Sequence, residues 1–189
     1  MIIPHTLDRR TDTGVNNVTL GIWLFLASEV MLFGALFSAY ALLRVAAPAW
    51  PRGREVLSLP LGATNTVILL AMSALAWRAR SGDAASARRL LGASTVCALA
   101  FLGVKAFEWR TEIGRGLLPS VSTFLALYFT LTGLHALHVA CGVIANSWAL
   151  TGTKRVGEAM TLARVRNLSL YWAFVDAVWL IIFGLMYVS

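Results

Sequence analysis

The chain has 189 residues, 58% of them apolar and 13% charged, with sixteen Lys plus Arg against nine Asp plus Glu for a net charge of +7. Soluble domains carry about 45–50% apolar and about 25% charged residues, so this composition excludes a disordered chain and argues against a soluble globular one. Basic residues never run longer than adjacent pairs between apolar stretches, the pattern of a topology signal rather than of a phosphate-binding face.

Residues 1–19 are polar and include Asp8, Arg9, Arg10 and Asp12. The first apolar run, Leu20–Leu43, is longer than the roughly 7–15 residues of a signal-peptide core and predicts an uncleaved first helix. Four more follow: Leu61–Trp77, Leu90–Trp109, Val121–Leu150 and Leu168–Val188. Each is long enough to cross a hydrocarbon core, which takes about 17–25 residues. The fourth exceeds that length, and its start beside Pro119 predicts a tilt or an interfacial first turn. No alternating pattern of a barrel appears, and only helices satisfy such backbones internally. The expected fold is all-α: a polytopic membrane protein built as a five-transmembrane-helix bundle, one domain over residues 1–189. The connecting loops are short, and Pro48, Pro51 and Pro60 keep the first irregular.

With five spans, the N-terminal tail and the second and fourth loops share a side. That side holds Arg9, Arg10, Arg78, Arg80, Arg88, Arg89, Lys154, Arg155, Arg164 and Arg166. The other holds Arg44, Arg52, Arg54, Lys105, Arg110 and Arg115. The positive-inside rule then places the N-terminus in the cytoplasm and the C-terminus outside. Cys97 and Cys141 fall within apolar runs and read as small embedded residues rather than a disulfide pair.

Ionisable groups inside a bilayer are expensive and usually face a partner or a water-filled cavity. Four stand out: Glu29 in the first span, His135 and His138 in the fourth, and Asp176 in the fifth. At the helical rise Glu29 lies roughly 14 Å and Asp176 roughly 12 Å from the cytoplasmic ends of their spans. His138 and His135 lie roughly 18 and 22 Å in, so a carboxylate–histidine network among these helices is allowed. His135 and His138 share a stripe with Thr132 and Gly142, and Trp172, Asp176, Trp179 and Phe183 share another. Gly21, Ser28 and Ala35 repeat every seven residues, as small residues do where helices approach closely. The competing reading for all four ionisable groups is interhelical packing without chemistry. Trp50, Trp77, Trp109 and Trp148 sit near span ends, where an aromatic belt belongs. No phosphate loop, CxxC, HExxH or extramembrane Ser/His/Asp set is present. The spans offer too few imidazole or thiolate ligands for haem or copper, so no metal or cofactor is expected in this chain.

Five motifs in order carry a resemblance. Gly21-Ile22-Trp23-Leu24-Phe25-Leu26-Ala27-Ser28-Glu29-Val30-Met31-Leu32-Phe33 resembles the first shared-core helix of subunit III of haem-copper cytochrome c oxidases. Asn65-Thr66-Val67-Ile68-Leu69-Leu70, Phe107-Glu108-Trp109 with Ser122-Thr123-Phe124, and Thr132-Gly133-Leu134-His135-Ala136-Leu137-His138-Val139 follow. Tyr171-Trp172-Ala173-Phe174-Val175-Asp176-Ala177-Val178-Trp179-Leu180 closes the series. The likeness spans residues 20 to 187 and fits the five-helix bacterial form. It implies a non-catalytic subunit docked on subunit I, in which the haems and copper reside, within a terminal oxidase of the bacterial cytoplasmic membrane. It further implies support of proton uptake and turnover, stability of subunit I, and bound phospholipid. Glu29 matches a buried, reactive carboxylate of the family, and His135, His138 and Asp176 match other motif positions. Lys154 and Arg155 are candidate headgroup contacts. Ala173 replaces the family's usual histidine, and Lys105 a common neutral amide. Three rival readings are an accessory subunit of nitric oxide reductase with the same fold, a haem-binding membrane cytochrome, and a proton-coupled transporter. The electron donor, cytochrome c or quinol, is set by other subunits.

Overall fold

The structure is a computed structural model that describes residues 14–152 and 157–189. Five helices are long and apolar enough to cross a membrane, and no strand occurs among the described residues. Helix α1, Asn17–Ala46, starts at Asn16, whose side chain accepts a hydrogen bond from the Thr19 amide at 2.8 Å. Such a cap satisfies one of the orphan donors of the first turn. The helix ends before Pro48, where Ala47 is already extended, as the residue ahead of a proline prefers. A four-residue helix α2, Gly53–Val56, breaks the first loop. Helix α3, Leu59–Arg78, takes Pro60 in its first turn, where a missing amide hydrogen costs nothing.

The next three helices are longer at their starts than the apolar runs alone indicate, or longer at their ends. Helix α4 is Ala84–Gly114 rather than Leu90–Trp109. Asp83 caps it through Ser86 N at 3.2 Å, and near its C-terminal end it buries Glu108 and, past Trp109, Glu112. Gly116, at φ 80°, turns the chain away afterwards. Helix α5 is Thr123–Gly152, opened by Ser122 Oγ accepting from Leu125 N at 3.2 Å. Helix α6, Glu158–Phe183, begins ten residues before the apolar run and closes in a π-helical segment, Gly184–Val188. Hydropathy marks the length exposed to lipid, whereas caps and packed polar faces carry the helices past it.

Helices α3, α4, α5 and α6 pack in that cyclic order, α3 closing on α6. Helix α1 lies outside this four-helix ring, against α6 and α5. Only 11% of its most apolar stretch is buried, against 44% for the span containing α6. The core inside the ring holds Leu69, Met72, Phe101, Tyr128, Leu131, Trp172, Trp179 and Ile182. Gly142 permits a close α5–α6 approach: a Cβ there would lie 2.5 Å from the Trp172 ring. The α1 face that meets the ring is Leu26, Phe33 and Tyr40, itself a seven-residue repeat. The expected small-residue seam of Gly21, Ser28 and Ala35 is a different stripe and is exposed.

Trp77 and Trp148 are exposed near helix ends, as a belt requires. Trp50 instead packs edge-on between Tyr40 and Phe124, with ring centroids at 5.5 and 5.8 Å, and Trp109 packs on Phe129. Cys97 is half-buried and Cys141 exposed, both free thiols.

Candidate functional site

The peripheral helix is fastened to the ring by an ionisable pair. Glu29 Oε2 on α1 lies 2.8 Å from His138 Nε2 on α5, with side-chain exposures of 14% and 11%. His138 Nδ1 lies 2.8 Å from the Leu134 carbonyl one turn earlier. A carbonyl only accepts, so Nδ1 carries a hydrogen and donates it. Nε2 then either accepts from a protonated Glu29 or, in an imidazolium, donates to an ionised one. Both states are neutral overall, and both hold one proton between Nε2 and Oε2. Phe33 packs on the imidazole at 5.2 Å, and the Tyr171 hydroxyl donates to the His138 carbonyl at 2.7 Å. Together these contacts fix the ring from α1, α5 and α6.

Of the four expected residues, the structure therefore joins Glu29 with His138. His135 points into the ring instead, fully buried between Phe101 at 5.6 Å and Trp179 at 5.2 Å. Neither of its nitrogens has a hydrogen-bond partner among the described residues. Asp176 faces α3 beside Ser73, and its Oδ1 is likewise unpartnered among the described residues. The three-residue step from His135 to His138 turns the helix far enough to send one ring inward and the other to the α1 seam. Lys154 and Arg155 lie outside the described residues. Ala173 is exposed on α6, so the imidazole that the family usually carries there would face outward.

Two apolar grooves flank α1. One, about 330 Å³, is lined by Ile22, Phe25, Cys141, Ala145, Arg164 and Tyr171, among others. At its polar end the Arg164 guanidinium lies over the Trp148 ring at 4.2 Å. Its Nη1 is buried without a hydrogen-bond partner among the described residues. The other groove, about 600 Å³, runs between Trp23, Ala27 and Val30 of α1 and Leu170, Ala173 and Phe174 of α6.

A second ionic cluster lies outside the expected site residues. Lys105 Nζ lies 3.0 Å from Glu108 Oε2, 3.0 Å from the Tyr128 hydroxyl and 2.5 Å from the Tyr187 hydroxyl. Tyr187 donates in turn to Glu108 Oε1 at 2.7 Å. Lys105, Glu108 and Glu112 are all buried and recur at i, i+3 and i+7. That spacing marks one inward face; Lys105 and Glu108 lie inside the span Leu90–Trp109, and only Glu112 falls beyond its expected end. Elsewhere Asn146 bridges Ser94 and Thr95 of α4 to the Trp172 indole, a polar tie without titratable groups. No group of three or more His, Cys, Asp or Glu placed to hold a metal occurs among the described residues.

Comparison with known proteins gives the family. The family described as Cytochrome c oxidase subunit III matches residues 5–189. Cytochrome bo(3) ubiquinol oxidase subunit 3 of Pseudomonas aeruginosa is 34% identical, over 98% of this chain and 90% of that one. Cytochrome c oxidase subunit 3 of Bacillus sp. PS3 is 29% identical, over 97% of this chain and 91% of that one. Heme-copper oxidase subunit I+III of Aeropyrum pernix is 34% identical over 91% of this chain, which spans 23% of that longer protein. The five membrane-spanning helices, the order of the motifs and the nearly end-to-end match agree, and the chain belongs to the cytochrome c oxidase subunit III family of haem-copper oxidases.

Proposed function

We propose that the chain is a non-catalytic subunit III that docks on subunit I of a respiratory terminal oxidase and supports proton uptake, lipid binding and the stability of that partner. Haem and copper belong to the partner in this reading, and this chain supplies protonatable groups and surface. The observation that carries it is the Glu29–His138 pair, 2.8 Å long, at the seam between the peripheral helix and the ring. A proton can pass between Oε2 and Nε2 of this pair with no change in net charge, so a proton that arrives as another leaves crosses the seam without stranding a charge in the bilayer. The groove ending at Arg164 suits an acyl chain below an anionic headgroup, since the guanidinium has an open donor above apolar walls. The fused subunit I+III relative supports subunit I as the neighbour.

The orientation with the N-terminus in the cytoplasm of a bacterium belongs to the same reading. A reporter fused after Ser189 then faces outside and one inserted between Arg80 and Arg88 faces the cytoplasm. The decisive test compares Glu29→Gln with wild type in complexes of equal subunit content. The expected result is a normal first turnover with slower proton uptake or faster loss of activity over many turnovers. An assembled variant unable to reduce oxygen from the first turnover overturns the non-catalytic assignment. A variant equal to wild type in both measures reduces Glu29 to packing.

A further inference from the structure

Glu112 is the carboxylate that the Lys105 cluster does not satisfy. An ammonium has three hydrogens to donate, and Lys105 directs them at Glu108, Tyr128 and Tyr187. Glu108 receives Lys105 on one oxygen and Tyr187 on the other. Lys105 and Glu108 therefore cancel in charge and complete each other's hydrogen bonds. Glu112, one turn further along α4, is 1% exposed. Neither of its oxygens makes a hydrogen bond of good geometry among the described residues, although the Tyr128 hydroxyl and the Ser58 backbone face it. Both carboxylates line a cavity of about 190 Å³ with Ser58, Leu61, Phe107, Thr111 and Arg115. Arg115 is exposed at its edge, so the cavity has an aqueous end. This end of the bundle carries α2 and the C-terminus, since α1 and α4 both end there and α3 starts there.

We infer that Glu112 is a proton-exchange site, open through this cavity to the side of the membrane on which the chain ends and separate from the Glu29–His138 pair. A permanently ionised Glu112 would leave an unpaired negative charge beside the negative Glu108, an arrangement that buried sites avoid. The charged and titratable groups around it are Glu108 and Lys105 on α4, Tyr128 on α5, Tyr187 on the π-helical segment and Arg115 at the mouth. On α2, Glu55 is engaged at the surface with Arg52 at 3.7 Å. A proton needs one carboxylate oxygen, which the site offers. A metal cation needs a shell of oxygens, and the oxygens of Glu108 are already taken by Lys105 and Tyr187. The assignment holds whatever the role of Glu29.

The test is infrared difference spectroscopy, acid minus alkaline, on the intact membrane complex containing the chain. Wild type is expected to show a protonated-carboxyl band that is lost in Glu112→Gln, displaced in Glu112→Asp and unchanged in Glu29→Gln. The band is expected to shift in heavy water and to keep its intensity when sodium chloride replaces choline chloride. If Glu112→Gln fails to assemble, displacement of the band in Glu112→Asp carries the assignment. Absence of the band from wild type, its persistence unchanged in the Glu112 variants, or a band that does not shift in heavy water overturns the proposal. Loss of the band on adding sodium at constant pH also overturns it, in favour of a metal cation.

Discussion

Glu29 and Glu108 are both glutamates set between helices and held by a basic neighbour, yet their surroundings are opposite. Glu29 reaches a single nitrogen at the outer seam, between a helix that is mostly lipid-exposed and the ring. Glu108 is enclosed by the ring, with both oxygens engaged and side-chain exposures of 2% for Lys105 and 0% for itself. The seam pair can shift its shared proton between Oε2 and Nε2 while staying neutral, whereas the enclosed pair is locked by three further hydrogen bonds. A saturated ion pair organises the fold, whereas the proposed proton role rests on the unsaturated one. Mutations that separate these two characters test the comparison.

The largest effect is expected at the enclosed pair. Lys105→Met strands the Glu108 charge and leaves two tyrosine hydroxyls without their common donor. Breaking a buried pair by removing one partner costs about 3–5 kcal/mol. Thermal unfolding of the purified complex, or the yield of assembled subunit, should fall accordingly. Adding Glu108→Gln should recover a large part of the loss, because no charge is then buried alone. A Lys105→Met variant as stable as wild type would remove the distinction between the two regions.

Next is the α5–α6 contact that sets His138 relative to Tyr171. In Gly142→Ala the new methyl lies 2.5 Å from the Trp172 ring and 2.9 Å from the Tyr171 ring. Overpacking of this kind costs about 1–3 kcal/mol. The displacement should also loosen Tyr171 from the His138 carbonyl, so faster loss of activity over turnovers should accompany the lower melting temperature. A variant that melts early but turns over normally would uncouple the seam pair from the packing behind it.

These two regions also differ in how far the sequence revealed them. The five spans were legible because long apolar runs have a direct physical meaning in a bilayer, and estimated depth alone brought Glu29 to the level of His138. Depth does not give azimuth, however. His135 was grouped with His138 on a shared stripe, but the helix sends it to Phe101 and Trp179. The Gly21–Ser28–Ala35 stripe was misplaced for a related reason: two heptad stripes coexist on α1, and bulk rather than smallness decides which one packs. Lys105 and Glu108 stood inside the run Leu90–Trp109 without being read as an inward face, and Glu112 lay hidden beyond it because charge density ends an apolar run. Nothing in one chain's hydropathy distinguishes a helix that stops from one that continues with its charges turned inward.

At the seam itself, Glu29→Gln should be gentler than the enclosed substitution. The amide keeps the volume and can still hydrogen-bond to Nε2, so the loss is confined to a charge-assisted bond, about 1–2 kcal/mol. Assembly with the partner should remain close to wild type. Glu29→Ala also leaves a cavity between α1 and α5 and should assemble less well. Measuring subunit content alongside the initial rate and its decay separates the chemical effect of Gln from the packing effect of Ala. If Gln and Ala lose assembly equally, the seam depends on the charge as the enclosed pair does.

The smallest expected effect is at Tyr171, whose hydroxyl donates to the His138 carbonyl at 2.7 Å. Tyr171→Phe keeps the ring that packs on Phe25 and Trp172 and removes only this bond. Interhelical hydrogen bonds in membranes average about 0.6 kcal/mol, so the melting temperature should hardly move. The bond nevertheless fixes the backbone of the residue whose imidazole meets Glu29, and a donor–acceptor distance of 2.8 Å has little slack. A positioning role predicts that Tyr171→Phe shortens active lifetime in the manner of Glu29→Gln, with an unchanged first turnover and a smaller magnitude. The double variant should then decay no faster than Glu29→Gln alone, since both changes act through one pair. If the two effects add, Tyr171 serves the α5–α6 contact and not the proton.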